Sequence, residues 1–155
     1  MAVIGKLYSS IVVVTMNYKN KINGITVAWI TRVSINPKLI AISIGKSRFS
    51  HELLMNSRYF GICILSNKQK QIAELFGTYS GGNYDKFKDV EFSFSEKNLP
   101  VIKDSLAFIE CEIVNKYDAG DHTLFIGKVI SEKLFRNDKP LIFGEHKILE
   151  VKNDV

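Results

Sequence analysis

Lys46, Ser47, Arg48 and Ser50 fall in the short run "KSRFS", just before the amphipathic stretch "SHELLMNS" (50–57). Cations and hydroxyls at a helix start suit an anion, because the first N–H groups lack partners and the macrodipole is positive there. The same residues also suit an ordinary helix capped by Ser50, with solvated basic side chains, and physics alone leaves the two readings level. Upstream, "NGITVAWITRVSINPKLIAISIG" (23–45) is apolar and β-branched enough to be buried, yet Thr26, Thr31, Arg32, Ser34 and Ser43 interrupt it. A strand pair that feeds an anion-favouring helix start suggests a phosphate-bearing ligand lying along a sheet.

Other chemistry is thinly represented. His51 follows the basic loop, His122 opens a strand in "AGDHTLFIGKV", and His146 reads as solvated. No GxSxG is present and no His neighbours a Cys in sequence, so nucleophilic catalysis has no support and each His reads first as structural. Cys63 in "FGICIL" and Cys111 in "AFIECEIV" lack metal-ligand spacing and read as buried thiols, so no metal is expected. Dinucleotide and P-loop fingerprints are missing, and "FGTYSGGNYDKF" reads as a surface loop.

The elements that must position these residues are mostly strands. "IVVVTMNY" (11–18) reads as a strand, "KNKIN" as a turn, and "GITVAWITRV" (24–33) as its hairpin partner. Further strands are expected at "LIAISIG" (39–45), "YFGICIL" (59–65), "AFIECEIV" (107–114), "HTLFIGKVISEKL" (122–134) and "PLIFGEHKILEV" (140–151). In 107–114 the alternation places Glu110 and Glu112 on a solvent face. A second helix is expected at "NKQKQIAELFG" (67–77), capped by Asn67 and stopped by Gly77, with a long polar loop after it. Without strand–helix alternation a doubly wound sheet is disfavoured, and an antiparallel barrel with short inserted helices is the natural closure.

Bulk properties set the class. The chain of 155 residues is 46% hydrophobic and 24% charged with a net charge of +5, which fits a single domain over 1–155. No apolar run approaches the ~20 residues of a membrane span. The start "MAVIGKLYSSIVVVTMNYK" makes a poor signal peptide and a good first strand, so residence in the cytoplasm is the expectation. Scattered lysines favour anionic ligands without forming the basic stripe of a nucleic-acid binder.

Taken in order, "NGITVAWITRVSINPKLIAISIGKSRFSHELL", "FGICIL", "IAELFG…SGGNYDKF", "LAFIECEI" and "DHTLFIGKVI…PLIFG" resemble the flavin reductase-like family, the FMN-binding split barrels. The resemblance runs from about Tyr8 to Phe143. It implies an FMN-binding homodimer with the flavin near the subunit interface. Thr26, Ala28, Trp29, Ile30 and Thr31 would line the flavin ring and ribityl chain. Ser43, Gly45, Lys46, Ser47, Arg48, Ser50 and His51 would surround the phosphate.

The resemblance further implies that the loop holding Asp85, Lys86 and Phe87 reaches the flavin pocket, of its own or the neighbouring subunit. His122 would face the flavin and the nicotinamide, as the residue that assists catalysis. The expected reaction is hydride transfer from NADH or NADPH to FMN, with electrons passed to free flavin, ferric complexes or a partner protein. Lys38 after Pro37, together with "AWITRVS", resembles the flavoredoxin and ferric-reductase branch. A flavoredoxin-type electron carrier without productive NAD(P)H binding, and a non-catalytic barrel for another anionic ligand such as haem or a pyridoxal phosphate derivative, are the alternatives.

Overall fold

The computed structural model describes residues 3–152. A 3-10 turn, Val3–Lys6, leads into β1 (Ser9–Ser10), β2 (Val12–Tyr18) and β3 (Lys21–Val27). Lys19 and Asn20 have φ of 51° and 67°, the paired positive values of a tight hairpin turn, so the turn is two residues and β3 begins earlier than its apolar run. Then come β4 (Ile30–Ser34), β5 (Leu39–Gly45), α1 (Phe49–Met55), β6 (Tyr59–Ile64) and α2 (Lys70–Thr78). The chain ends with β7 (Phe92–Phe94), β8 (Pro100–Ile102), β9 (Ala107–Ala119), β10 (His122–Leu134), β11 (Leu141–Gly144) and β12 (Lys147–Glu150).

Seven strands form one antiparallel sheet in the order β3-β2-β6-β9-β10-β5-β4. The stretch expected as one strand over 24–33 is therefore two strands at opposite edges, joined only by Ala28 and Trp29. Three Cα steps reach at most about 11 Å. The sheet must curl until its edges meet, which makes a barrel with a seam. Register shifts in the β9–β10 ladder, at Ile126/Gly127 and at Val129/Ser131, add the local twist that this curling needs.

The barrel interior holds Val12, Val14, Ile42, Phe60 and Phe125, with Leu53 and Leu54 of α1 packed against them. A second core, around Val13, Cys63, Phe76, Phe108 and Leu141, lies on the other face of the sheet beneath α2. Strand β2 is thus buried on both faces, which explains its unbroken apolar run. Both cysteines are free and buried, and burial pushes their thiols up to about 12.

Other expectations are corrected by tertiary contacts. The run 140–151 is a hairpin, β11–β12, turning at Glu145 and His146, both with positive φ (53° and 63°). Ser50 is not a cap: the α1 cap position is Arg48, and Ser50 is buried, accepting a hydrogen bond from Asn23 Nδ2 at 2.8 Å. Helix α2 starts after Gln69 and runs through Gly77 to Thr78, because Asn67 is held outside it by its N–H bond to Lys139 O. The loop after α2 contains the β7–β8 hairpin, and this covers Glu110, which is 2% exposed and accepts from Lys97 N–H.

Candidate active-site cleft

A cleft of ≈ 940 Å³ opens along the seam where β3 and β4 part. One wall is Ile25, Thr26 and Val27 of β3, continued by Ala28 and Trp29 of the link and Ile30 and Thr31 of β4. Its floor is Ala41, Ser43, Ile44 and Gly45 of β5 with Leu124 of β10. Ser47, Arg48 and His122 stand at the end where β5 leaves the sheet. The link is pinned from both sides: Ser43 N–H donates to Trp29 O at 3.0 Å, and Ser9 Oγ to Ala28 O at 2.5 Å.

The hydroxyls differ in availability. Thr26 Oγ1 donates to Ala73 O of α2 at 2.6 Å, and Thr31 Oγ1 to its neighbour's carbonyl at 3.3 Å, so both are engaged within the chain. Ser43 and Ser47 face the cleft. Arg48 is half-buried, and among the described residues no carboxylate pairs with it.

His122 is held on three sides. Its ring lies against Trp29 with centroids 4.6 Å apart, and its Nδ1 is 2.6 Å from Asp121 Oδ1. It pairs in register with Gly45, where a side chain would begin 3.7 Å from Nε2. With Nδ1 engaged by Asp121, Nε2 is the nitrogen left for the cleft that His122 and Gly45 both line.

The remaining expected site residues are placed elsewhere. Lys46 is exposed and ion-paired to Asp118, its own N–H bonded to Asp121 O. Ser50 faces Asn23. His51 Nε2 is 2.7 Å from Thr123 Oγ1, and burial, then Lys46, lowers its pKa. Lys86 and Phe87 are buried in their own chain, away from the cleft. The Lys86 ammonium donates to Gly24 O and Phe76 O at 2.8 and 3.1 Å, satisfying an edge carbonyl of β3 and one at the end of α2, while Phe87 packs on Phe76. Desolvation, and secondarily Arg48, lowers Lys86 to about 8.

Tyr8, Phe143, Glu145 and His146 also line the cleft, and the sequence reading missed them in this role. Glu145 accepts from Tyr8 Oη at 2.6 Å and pairs with Lys6, and its N–H donates to Gly5 O, so the two chain ends form one wall. These partners, Lys6 first, hold the Glu145 carboxyl below its usual range. The only sequence signal was a polar pair, Glu145–His146, between short apolar runs.

Comparison with known proteins agrees with this architecture. The chain is 31% identical to the FMN reductase (NADH) SmoA of Agrobacterium fabrum, covering 91% of this chain and 78% of that one. The NADH:FAD oxidoreductase SgcE6 of Streptomyces globisporus, solved with NAD and FAD fragments, is 29% identical with a TM-score of 0.90 over 98% of this chain and 90% of that one. The flavin reductase PheA2 is 37% identical with a TM-score of 0.85, over 97% and 94% of the two chains. The family model described as flavin reductase like domain matches residues 4–152. This chain therefore belongs to the flavin reductase-like domain family and is an oxidoreductase acting on flavin.

Proposed function

We propose that the chain binds FMN in the seam cleft and reduces it with NADH or NADPH. The observation that carries this reading is Arg48, a cleft-lining guanidinium with no carboxylate partner among the described residues, beside Ser47 at one end of an otherwise largely apolar slot. A flat ring needs such apolar walls, and a phosphate needs the cation and hydroxyl at its far end. The volume lies within the ~300–1,000 Å³ of small-molecule sites. One cationic seat fits one phosphate, which favours FMN over FAD. The named relatives that use NADH support the hydride donor.

When bound, the flavin accepts a hydride from the dihydronicotinamide, and that chemistry is the cofactor's. The chain's own residues bind, orient and exclude water. Backbone groups of Ala28 to Thr31 would edge the ring, Ser43 would offer its hydroxyl, and His122 would present Nε2 to the ring pair. The electrons would pass on to free flavin, a ferric complex or a protein acceptor. Trp29, Val33 and Ile35, respectively 61%, 49% and 91% exposed beside the cleft, support a homodimer that covers them.

Fluorescence-quenching titrations with FMN and riboflavin test the phosphate seat. Charge-assisted hydrogen bonds contribute about 1.5–3 kcal/mol, so Arg48→Gln is expected to weaken FMN roughly tenfold or more and riboflavin hardly at all. Lys46→Gln, whose cation already pairs with Asp118, is expected to change either flavin little. Equal losses for both flavins in Arg48→Gln would show that the phosphate lies elsewhere.

A further inference from the structure

We infer that Asp121 is a positioning residue for hydride transfer, fixing the His122 imidazole so that Nε2 is the nitrogen presented to the cleft. The inference rests on the proposed role of His122 beside the flavin. Asp121 does not line the cleft, and its side chain is 95% exposed. Its Oδ1 nevertheless lies 2.6 Å from His122 Nδ1. That hydrogen bond, first among its causes, holds the Asp121 carboxyl below its usual range.

The turn makes this contact hard to avoid. Only Gly120 and Asp121 separate β9 from β10, and Gly120 takes a positive φ of 69°. Asp121 also accepts Lys46 N–H through its main-chain oxygen at 2.9 Å, and Lys46 opens the segment that carries Ser47 and Arg48. One residue thus ties the imidazole through its side chain and the anion seat through its backbone. A side-chain substitution cuts the first tie and leaves the second.

With Nδ1–H donated to a carboxylate, Nε2 is an acceptor in the neutral ring. In the proposed reaction a hydride would carry both electrons from the dihydronicotinamide to the flavin and leave a nicotinamide cation, so the chain need supply no proton to that bond change. Nε2 would act by hydrogen bonding to the ring edges. The charged groups around it are Asp121, Lys46 with its partner Asp118, Arg48, and Glu145 and His146 across the cleft.

Anaerobic stopped-flow reduction of the FMN-loaded protein by NADH tests this. The parent, Asp121→Ala, Asp121→Asn and His122→Ala are compared, each with its FMN dissociation constant. Asp121→Ala is expected to slow reduction, with FMN affinity within about twofold, a change under the 1.4 kcal/mol of a decade. Asp121→Asn, which can still accept from Nδ1–H, should recover much of the rate. His122→Ala should be slow. If His122→Ala is slow but Asp121→Ala keeps the parent rate, the inference is overturned and the His122 role stands. Loss of FMN in Asp121→Ala would also overturn it, making the residue a support of the anion seat. Unchanged reduction in His122→Ala removes the underlying reading instead.

Discussion

Strands β3 and β4 follow one another with two residues between them, and both are edges of the same sheet, yet they end differently. In β3, Asn23, Gly24, Ile25 and Val27 are buried. Its outer side is closed from within the chain, by Lys86 on Gly24 O and by Thr26 on Ala73 O. In β4, Thr31, Arg32 and Val33 are exposed, and Ile35 just beyond is 91% exposed. Unprotected edges invite another chain. The cleft therefore lies between a wall that the chain closes by itself and one whose outer surface it leaves exposed.

The sharpest way to break that comparison is to truncate an apolar residue on each strand. Ile25 is 4% exposed in the barrel core, so Ile25→Ala is expected to cost about 2–5 kcal/mol through lost burial and a residual cavity. Val33→Ala, at 49% exposure, should stay within about 0.5 kcal/mol for the isolated chain. Urea denaturation of dilute protein measures both. Similar losses would mean that β4 is packed as β3 is.

Lys86 tests how firmly the β3 edge is closed. Its pKa in the fold, about 8, lies below the 10.5 of a free lysine. The unfolded chain thus binds more protons between those values, and stability should rise with pH across that window. The two carbonyls that accept from the ammonium offset part of the burial cost, so the rise is on the order of 1–2 kcal/mol. Below about pH 8 both states are protonated and the slope vanishes. Lys86→Met should flatten the window, read from urea midpoints at about pH 7.5 and 9.5. An identical slope in the variant would place the titrating group elsewhere.

What the sequence disclosed follows the same division. Strands β5 and β10 were legible to the residue, because apolar continuity and turn chemistry both mark their ends. The break at Ala28–Trp29 was not, since neither residue disfavours a strand and only closure of the barrel requires it. Thr26, Trp29, Ser43, Arg48 and His122 were read as site residues from local pattern and resemblance, and they do line the cleft. Lys86 was read toward the ligand only through the resemblance of its loop; its ammonium instead turns inward to the carbonyls of Gly24 and Phe76. Tyr8 and Glu145 meet from opposite chain ends, a contact that no local spacing encodes.

The smallest effect on the fold is expected at Ile35, and it sharpens the comparison most. At 91% exposure its side chain loses almost no burial on substitution, so Ile35→Glu should leave the denaturation midpoint of dilute protein within about 0.5 kcal/mol of the parent. If a second copy covers β4, however, the new carboxylate must be desolvated at that interface without a partner, which is costly. Light scattering should then give twice the 17.6 kDa chain mass for the parent and a shift toward the single-chain mass for the variant. FMN affinity should fall along with the mass, because Trp29, Ile30 and Thr31 line the cleft from the β4 side. A parent that runs as a single chain would end the homodimer reading. A variant that stays paired and binds FMN as before would move the interface off β4, and the exposed edge would then require a different partner.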